Sequence, residues 1–325
     1  MKASEYRPAW WLPGGHLKTL WGKLARPRPR VATRRERWDT PDGDFIEVHR
    51  LDALPGSPRL IILHGLEGSA RSHYALGMLN EARSRGWASD ILVWRSCGDE
   101  PNQTARFYHS GETTDLDFVV NRLIEMDSDS QVLLAGVSLG GNVLLKWLGE
   151  LGNAFPAQVM GAAAVSVPFD LERGARSIEH GFSRVYQAHF LRSLRRKAAE
   201  KQRRFPGLIA AGALGRARTL FEFDDAVTAP VHGFRDASDY YHRSSSIRFL
   251  SRIRLPTLLL SAADDPFLPE NVLEEVRAIA KDNAALRVEF VQRGGHVGFV
   301  SGFLPWRPDY YAERRVVDFL SNQLS

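Results

Sequence analysis

Gly136-Val137-Ser138-Leu139-Gly140 is a Gly-x-Ser-x-Gly pentapeptide set between two segments of different periodicity. Gln131-Val132-Leu133-Leu134-Ala135 precedes it as a short apolar run behind Asp129 and Ser130, the pattern of a buried strand. Asn142 to Leu148 follows with apolar residues at helical spacing and ends near Gly149 and Gly152, the pattern of a helix. The serine is therefore predicted on a strand-to-helix turn. A turn that sharp lifts the hydroxyl above the sheet and needs glycine where a Cβ would collide with the neighbouring chain. Small residues cluster in many tight turns, so the pentapeptide alone is weak. Its flanks favour a nucleophile over a glycine-rich turn with an incidental serine.

The rest of the chain repeats this strand–helix rhythm. Leu60–Leu63, Ser89–Trp94, Val159–Val167 and Pro256–Ala262 are predicted strands, with His73–Arg85, Thr113–Met126 and Asn271–Ala280 as helices between or after them. Such alternation builds a parallel, doubly wound sheet. Two β-rich runs, Val31–Trp38 and Phe45–Leu51, flank the turn sequence Pro41-Asp42-Gly43-Asp44 and predict an antiparallel hairpin ahead of it. The rhythm breaks over 169–250, where Phe182–Arg203 and Leu208–Phe221 have helical character and no run resembles a strand. That stretch is predicted to be an inserted helical cap over the strand ends, where ligands of open α/β sheets bind. The expected organisation is an irregular segment packed on the core (1–30), a core split between 31–168 and 251–325, and the cap (169–250).

Two further residue types complete a chemistry. Serine is a weak nucleophile unless a histidine takes its proton, and the histidine needs a carboxylate to fix its tautomer and stabilise the imidazolium. Of ten histidines, His296 alone lies on a late, glycine-flanked loop after the final strand of the core, predicted at Leu286–Gln292. Asp264 and Asp265 follow the strand before it. Asp265, four residues ahead of Pro269, is the preferred acid, leaving Asp264 as a capping or solvated neighbour. The loop His64-Gly65-Leu66-Glu67-Gly68-Ser69 opens from a buried strand and suits an oxyanion hole formed by the backbone N–H groups of Leu66 and Leu139. His16 and Cys97 are assigned packing roles. The chain has no metal-binding signature and no dinucleotide or phosphate fingerprint, so no cofactor is expected.

Composition narrows the setting. A single cysteine in 325 residues excludes an internal disulfide framework and suits a reducing compartment. The first residues lack the apolar core of a signal peptide, and no apolar run reaches the roughly 18 residues of a membrane span. A cytoplasmic protein is expected. The net charge of +5 is bunched in Arg26–Arg37 and in Arg192–Arg204. A solvated surface is the expected role of both clusters, and nucleic acid is not an expected partner. The second cluster lies on the predicted cap helix, which leaves peripheral membrane contact as an alternative.

The chain resembles the YheT-like hydrolases, the AB hydrolase 4 family of the α/β-hydrolase superfamily. The shared motifs span nearly the whole length. They include Gly15-His16-Leu17-Lys18-Thr19, His64–Ser69, Arg95–Asn102, Tyr108–Thr113, Gly136–Asn142, Phe223-Asp224-Asp225, Tyr240-Tyr241, Asp264–Phe267 and Gly294–Phe299. Ser96 stands where the family is expected to have glycine. The resemblance implies the α/β-hydrolase fold and hydrolysis of carboxylic esters through Ser138, His296 and Asp265, on small-molecule or lipid esters. Lipase or phospholipase action at a membrane is the first alternative, and a non-catalytic binding protein on the same scaffold the second. Neither oligomeric state nor acyl preference is legible at this level.

Overall fold

The computed structural model describes residues 5–324; Met1–Ser4, part of the amino terminus read above for a signal sequence, and Ser325 lie outside them. Apolar runs form an eight-stranded sheet of β1 (Arg34–Asp39), β2 (Phe45–Leu51), β3 (Arg59–Leu63), β4 (Ala88–Val93), β5 (Val132–Val137), β6 (Val159–Val165), β7 (Thr257–Ala262) and β8 (Leu286–Val291). Their spatial order is β1-β2-β4-β3-β5-β6-β7-β8. The hairpin enters antiparallel, β1 on β2 and β2 on β4, and the remaining pairs are parallel. Strands β3, β5 and β7 are buried along their whole length because helices cover both faces of the sheet. A strand with no solvated face needs no polar alternation, which is why these segments are continuous apolar runs.

The helices are α1 (Gly14–Leu24), α2 (His73–Ser84), α3 (Thr114–Met126) and α4 (Leu139–Leu151), then α5 (Leu171–Ser177), α6 (Ser183–Arg204), α7 (Ala213–Arg216), α8 (Leu220–Phe223), α9 (Ala229–Val231) and α10 (Ala237–Ser244), and finally α11 (Val272–Lys281) and α12 (Tyr311–Ser321). Apolar faces of α2 and α12 pack on one side of the sheet, and those of α3, α4 and α11 on the other. Helices α5 to α10 form the insertion, with no strand among its residues. The doubly wound sheet, antiparallel start and helical insertion agree with the expected fold class.

Three stretches depart from expectation. The segment 1–30, predicted irregular from its glycines, prolines and tryptophans, contains α1. Its glycines serve close approach: a Cβ on Gly15 would stand 1.9 Å from the Asp264 carbonyl oxygen, and one on Gly22 would stand 2.4 Å from the His73 ring. Leu208–Phe221, predicted as one helix, is two. The chain leaves α7 at Ala217 and restarts at Thr219, whose Oγ1 accepts the Glu222 N–H at 3.1 Å while the Glu222 carboxylate accepts the Thr219 N–H at 3.1 Å. A two-stranded hairpin, β9 (Val300–Leu304) with β10 (Arg307–Tyr310), follows the His296 loop where no strand was predicted. It is short, and its exposed positions include Phe303 and Trp306.

Candidate active site

Ser138 stands between β5 and α4 with φ +53° and ψ −120°, a region that costs a non-glycine residue about 1–3 kcal/mol. The surroundings hold it there. Its N–H donates to the Val165 carbonyl at 2.8 Å, and its carbonyl accepts the Asn142 N–H at 3.0 Å. The flanking glycines are steric requirements. A Cβ on Gly136 would meet the Gly140 carbonyl oxygen at 2.5 Å, and one on Gly140 would meet the Leu63 carbonyl oxygen at 2.4 Å. The buried Asn142 ties this turn to the cap: its Nδ2 donates to the carbonyls of Ser110 and Ser244 at 2.8 Å each, and its Oδ1 accepts the Ser246 N–H at 2.9 Å.

His296 lies in the loop between β8 and β9. Its Nδ1 is 2.8 Å from Oδ2 of Asp265, a buried carboxylate whose Oδ1 also accepts the Phe267 N–H at 2.9 Å. The Phe267 ring lies 4.2 Å from the imidazole, centroid to centroid. Asp264, expected to cap or face solvent, instead holds the histidine loop from below: its Oδ1 accepts the N–H groups of Gly294 at 2.6 Å and Gly295 at 2.8 Å. The loop is also fixed from α1, where Thr19 Oγ1 accepts the His296 N–H at 2.8 Å.

The loop after β3 is anchored on both sides of Leu66. The Gly65 N–H donates to the Tyr74 hydroxyl at 2.9 Å, and the Glu67 N–H to the Tyr108 hydroxyl at 2.9 Å. Among the described residues, no hydrogen-bond partner takes up the N–H of Leu66 or of Leu139, the latter lying in the first turn of α4 where no intrahelical acceptor exists. His64 beneath the loop is neutral, since burial pushes its pKa down to about 4. One tautomer meets both of its contacts: Nδ1–H donates to the Gly65 carbonyl at 2.8 Å and Nε2 accepts the Trp94 N–H at 3.2 Å.

Sequence patterns gave no signal for the tie between this loop and the cap. Glu67 adopts a positive φ of 54°. Its Oε1 accepts the Tyr108 hydroxyl at 2.8 Å and Lys197 Nζ of α6 at 2.7 Å, and its Oε2 accepts the hydroxyl of Ser193, also of α6. Lys197 further lies 3.2 Å from Cys97 Sγ, and burial pushes that thiol up to about 11. Cys97 is thus held as a thiol beside the cap helix. His16 does not line the Ser138 cavity; its Nδ1 meets the Tyr186 hydroxyl at 3.3 Å.

Ser138, Leu139, Leu66 and His296 line one cavity of about 960 Å³, roofed by the insertion, with Asp265 behind the histidine. Its walls are mainly apolar, with Leu20 and Leu24 from α1, Leu171 and Ile178 from the start of the cap, and Phe190 and Phe223 from farther along it. Phe182, by contrast, is half exposed against His16, and Phe221 packs on Tyr241. The first basic cluster is the solvated surface expected at Arg28, Arg30, Arg34, Arg35 and Arg37, which are exposed, and departs from it at Arg26. Arg26 is buried in an ion pair with Glu313, and Arg35 and Arg37 pair with Glu100 at 2.8 and 3.3 Å.

Residues 58–303 match the family model of the alpha/beta hydrolase fold. The chain is 37% identical over 99% of its length, and 94% of the other, to YheT of Escherichia coli, whose name assigns it provisionally to the esterases. It is 29% identical to mouse phospholipase ABHD3 over 94% of this chain and 75% of that protein. The Pyrococcus furiosus esterase Pf2001 superposes with a TM-score of 0.59 at 16% identity, covering 92% of this chain and 97% of that one, which is a likeness of fold. No helix among the described residues is long and apolar enough to cross a membrane.

Proposed function

The chain belongs to the α/β-hydrolase family, a carboxylic ester hydrolase by its relatives, and from that premise we propose that it works through Ser138, His296 and Asp265 on esters with an extended acyl chain. The observation that carries this reading is the 2.8 Å contact between His296 Nδ1 and Asp265 Oδ2, behind a cavity that Ser138 and His296 both line. Asp265 fixes the imidazole with hydrogen on Nδ1, so Nε2 is free to take a proton. The Ser138 hydroxyl loses its proton to Nε2 as its oxygen adds to the ester carbonyl. The carbonyl oxygen gains the negative charge, and the N–H groups of Leu66 and Leu139 receive it. The imidazolium then protonates the departing alcohol, leaving an acyl-serine. Water, deprotonated by His296, adds to that ester, and collapse returns Ser138 and releases the acid.

The substrate class rests on the walls. A cavity near the upper end of the usual ligand-pocket range, lined by leucine, isoleucine and phenylalanine, favours an acyl chain over a small polar group. The phospholipase among the relatives supports including glyceryl esters. The test is a panel of aryl and glyceryl esters of graded acyl length, run on wild type and Ser138→Ala. Specificity should rise from acetyl to longer chains, and Ser138→Ala should lose at least about 10³-fold in kcat. A serine-independent activity would refute the nucleophile, and an acetyl optimum would refute the acyl site.

A further inference from the structure

Apart from Leu54 and Met126, which precede β3 and β5 and so lie at the far end of the sheet from Ser138, every large exposed apolar side chain among the described residues gathers around α1. On α1 itself these are Leu17 and Leu24, the latter 75% exposed. Seven residues apart, they lie within about 20° of each other on the helix surface. Helix α6 runs along one flank of α1, joined to it where the His16 ring meets Phe182 at 4.8 Å and where Lys23 Nζ meets His189 Nε2 at 2.8 Å. There it adds Phe182 and Val185, 50% and 57% exposed. The β9–β10 hairpin is tied to α1 by Trp21 Nε1 donating to the Tyr310 hydroxyl at 3.4 Å, and to the segment before it by Trp11 Nε1 donating to the Gly302 carbonyl at 3.0 Å. Phe303 and Trp306 stand out from it, and Trp10 beside them donates to the Phe303 carbonyl at 3.0 Å.

Two properties of this face indicate what covers it. The first is its place. Leu20, Lys23 and Leu24 of α1 and Val185 and His189 of α6 all line the Ser138 cavity, so the seam between the helices is the cavity's mouth. The second is charge. Arg28 and Arg71 line the same mouth, and α6 carries Arg184, Arg192 and Arg196 with Glu200 as the helix's one acid. These five arginines are exposed or partly exposed, and none makes an ion pair among the described residues. Protruding leucine, valine, phenylalanine and tryptophan, set among unpaired arginines, match an interface that is apolar in depth and anionic at its surface. A soluble ester would need neither feature outside the cavity.

We propose that the face formed by α1, the start of α6 and the β9–β10 hairpin docks on an anionic lipid surface, with the cavity mouth facing the lipid. The inference goes beyond the esterase reading and is independent of it, because docking is measured without turnover. The full chain is sedimented with vesicles of phosphatidylcholine alone, and of phosphatidylcholine containing about a third phosphatidylglycerol. Binding is expected to the anionic vesicles and to weaken as salt rises. Reversing three cations, Arg184→Glu with Arg192→Glu and Arg196→Glu, should lower it at least about 100-fold, since each contributes roughly fivefold near such a surface. The pair Leu17→Glu and Phe182→Glu should lower it at least about 30-fold through lost apolar insertion. None of the substituted residues lines the cavity, so both variants should hydrolyse a short soluble ester and melt like wild type.

Three results would overturn the proposal. One is equal or absent binding to the two vesicle types. Another is anionic binding that the Leu17/Phe182 variant leaves intact and that double-stranded DNA displaces, which would make the face a polyanion site. The third is a wild-type dimer in sedimentation velocity that this variant converts to monomer, which would make the covering partner a second copy of the chain.

Discussion

Two adjacent aspartates take different tasks at the end of β7, and the difference predicts different failures. Asp265 meets the imidazole, so Asp265→Asn should lower kcat on the order of 10³-fold or more, with KM and melting temperature little changed. Asp264 accepts two loop N–H groups, so Asp264→Ala should instead lower stability by about 1–3 kcal/mol in urea titration. Equal kinetic losses without a stability difference would contradict this division. The preference for Asp265 was legible from its distance to Pro269. The task of Asp264 was not, because the N–H groups it accepts belong to residues 30 and 31 positions along the chain. Thr19 escaped notice for a related reason: it holds the His296 N–H across 277 residues, and a lone threonine on a helix carries no such signal. Gly136 and Gly140 are the opposite case, since the motif itself implies the backbone contacts that a Cβ would violate.

At the level of elements, the contact that couples the chemistry to the cap is between the β3–α2 loop and α6. Glu67 follows Leu66, holds a positive φ, and is fixed by Tyr108 together with Lys197 and Ser193. On the proposed mechanism Glu67 is a positioning residue, acting through the aim of the Leu66 N–H. Lys197→Met should therefore lower kcat by roughly tenfold, a part of what loss of an oxyanion donor costs, while KM for a short ester stays nearly constant. Lys197→Arg should restore part of the rate. A variant that changed KM alone would place the pair in substrate binding instead. Elements were legible where periodicity is long, as in the parallel strands and in α6. They were missed where local chemistry overrides composition. Thr219 restarts a helix within an apparently continuous pattern, and the glycines of α1 allow the helix to approach its neighbours where they seemed to break it.

For the whole molecule, several histidines are buried neutral in the folded protein, and the resulting acid sensitivity is global. Burial lowers His64 from 6.5 to about 4 and His232 likewise to about 4. The unfolded chain binds protons at these groups below pH 6.5 while the folded chain resists them, so the stability they contribute is present above that pH and is lost as pH falls toward 4. Melting temperature should begin to fall below about pH 6.5, above the range of ordinary carboxylates. Asp224, which burial pushes up to about 6, offsets part of the loss as it takes up its proton. A flat profile from pH 7 to 4.5 would contradict the expected fall. The fold class was legible because alternating strands and helices leave few topologies, and the cap because that alternation stops. The mouth was not, because it joins a segment near residue 20 to one near residue 185, and only the folded chain brings them together. What unites these scales is the proposal of a single reactive serine, Ser138, in a covered cavity. The most direct test is intact-mass and peptide mapping after reaction with a fluorophosphonate. One adduct per chain is expected, located on Ser138, absent in Ser138→Ala and strongly slowed in His296→Ala. Folded wild-type protein that takes up no adduct, or takes it up elsewhere, would contradict the mechanism.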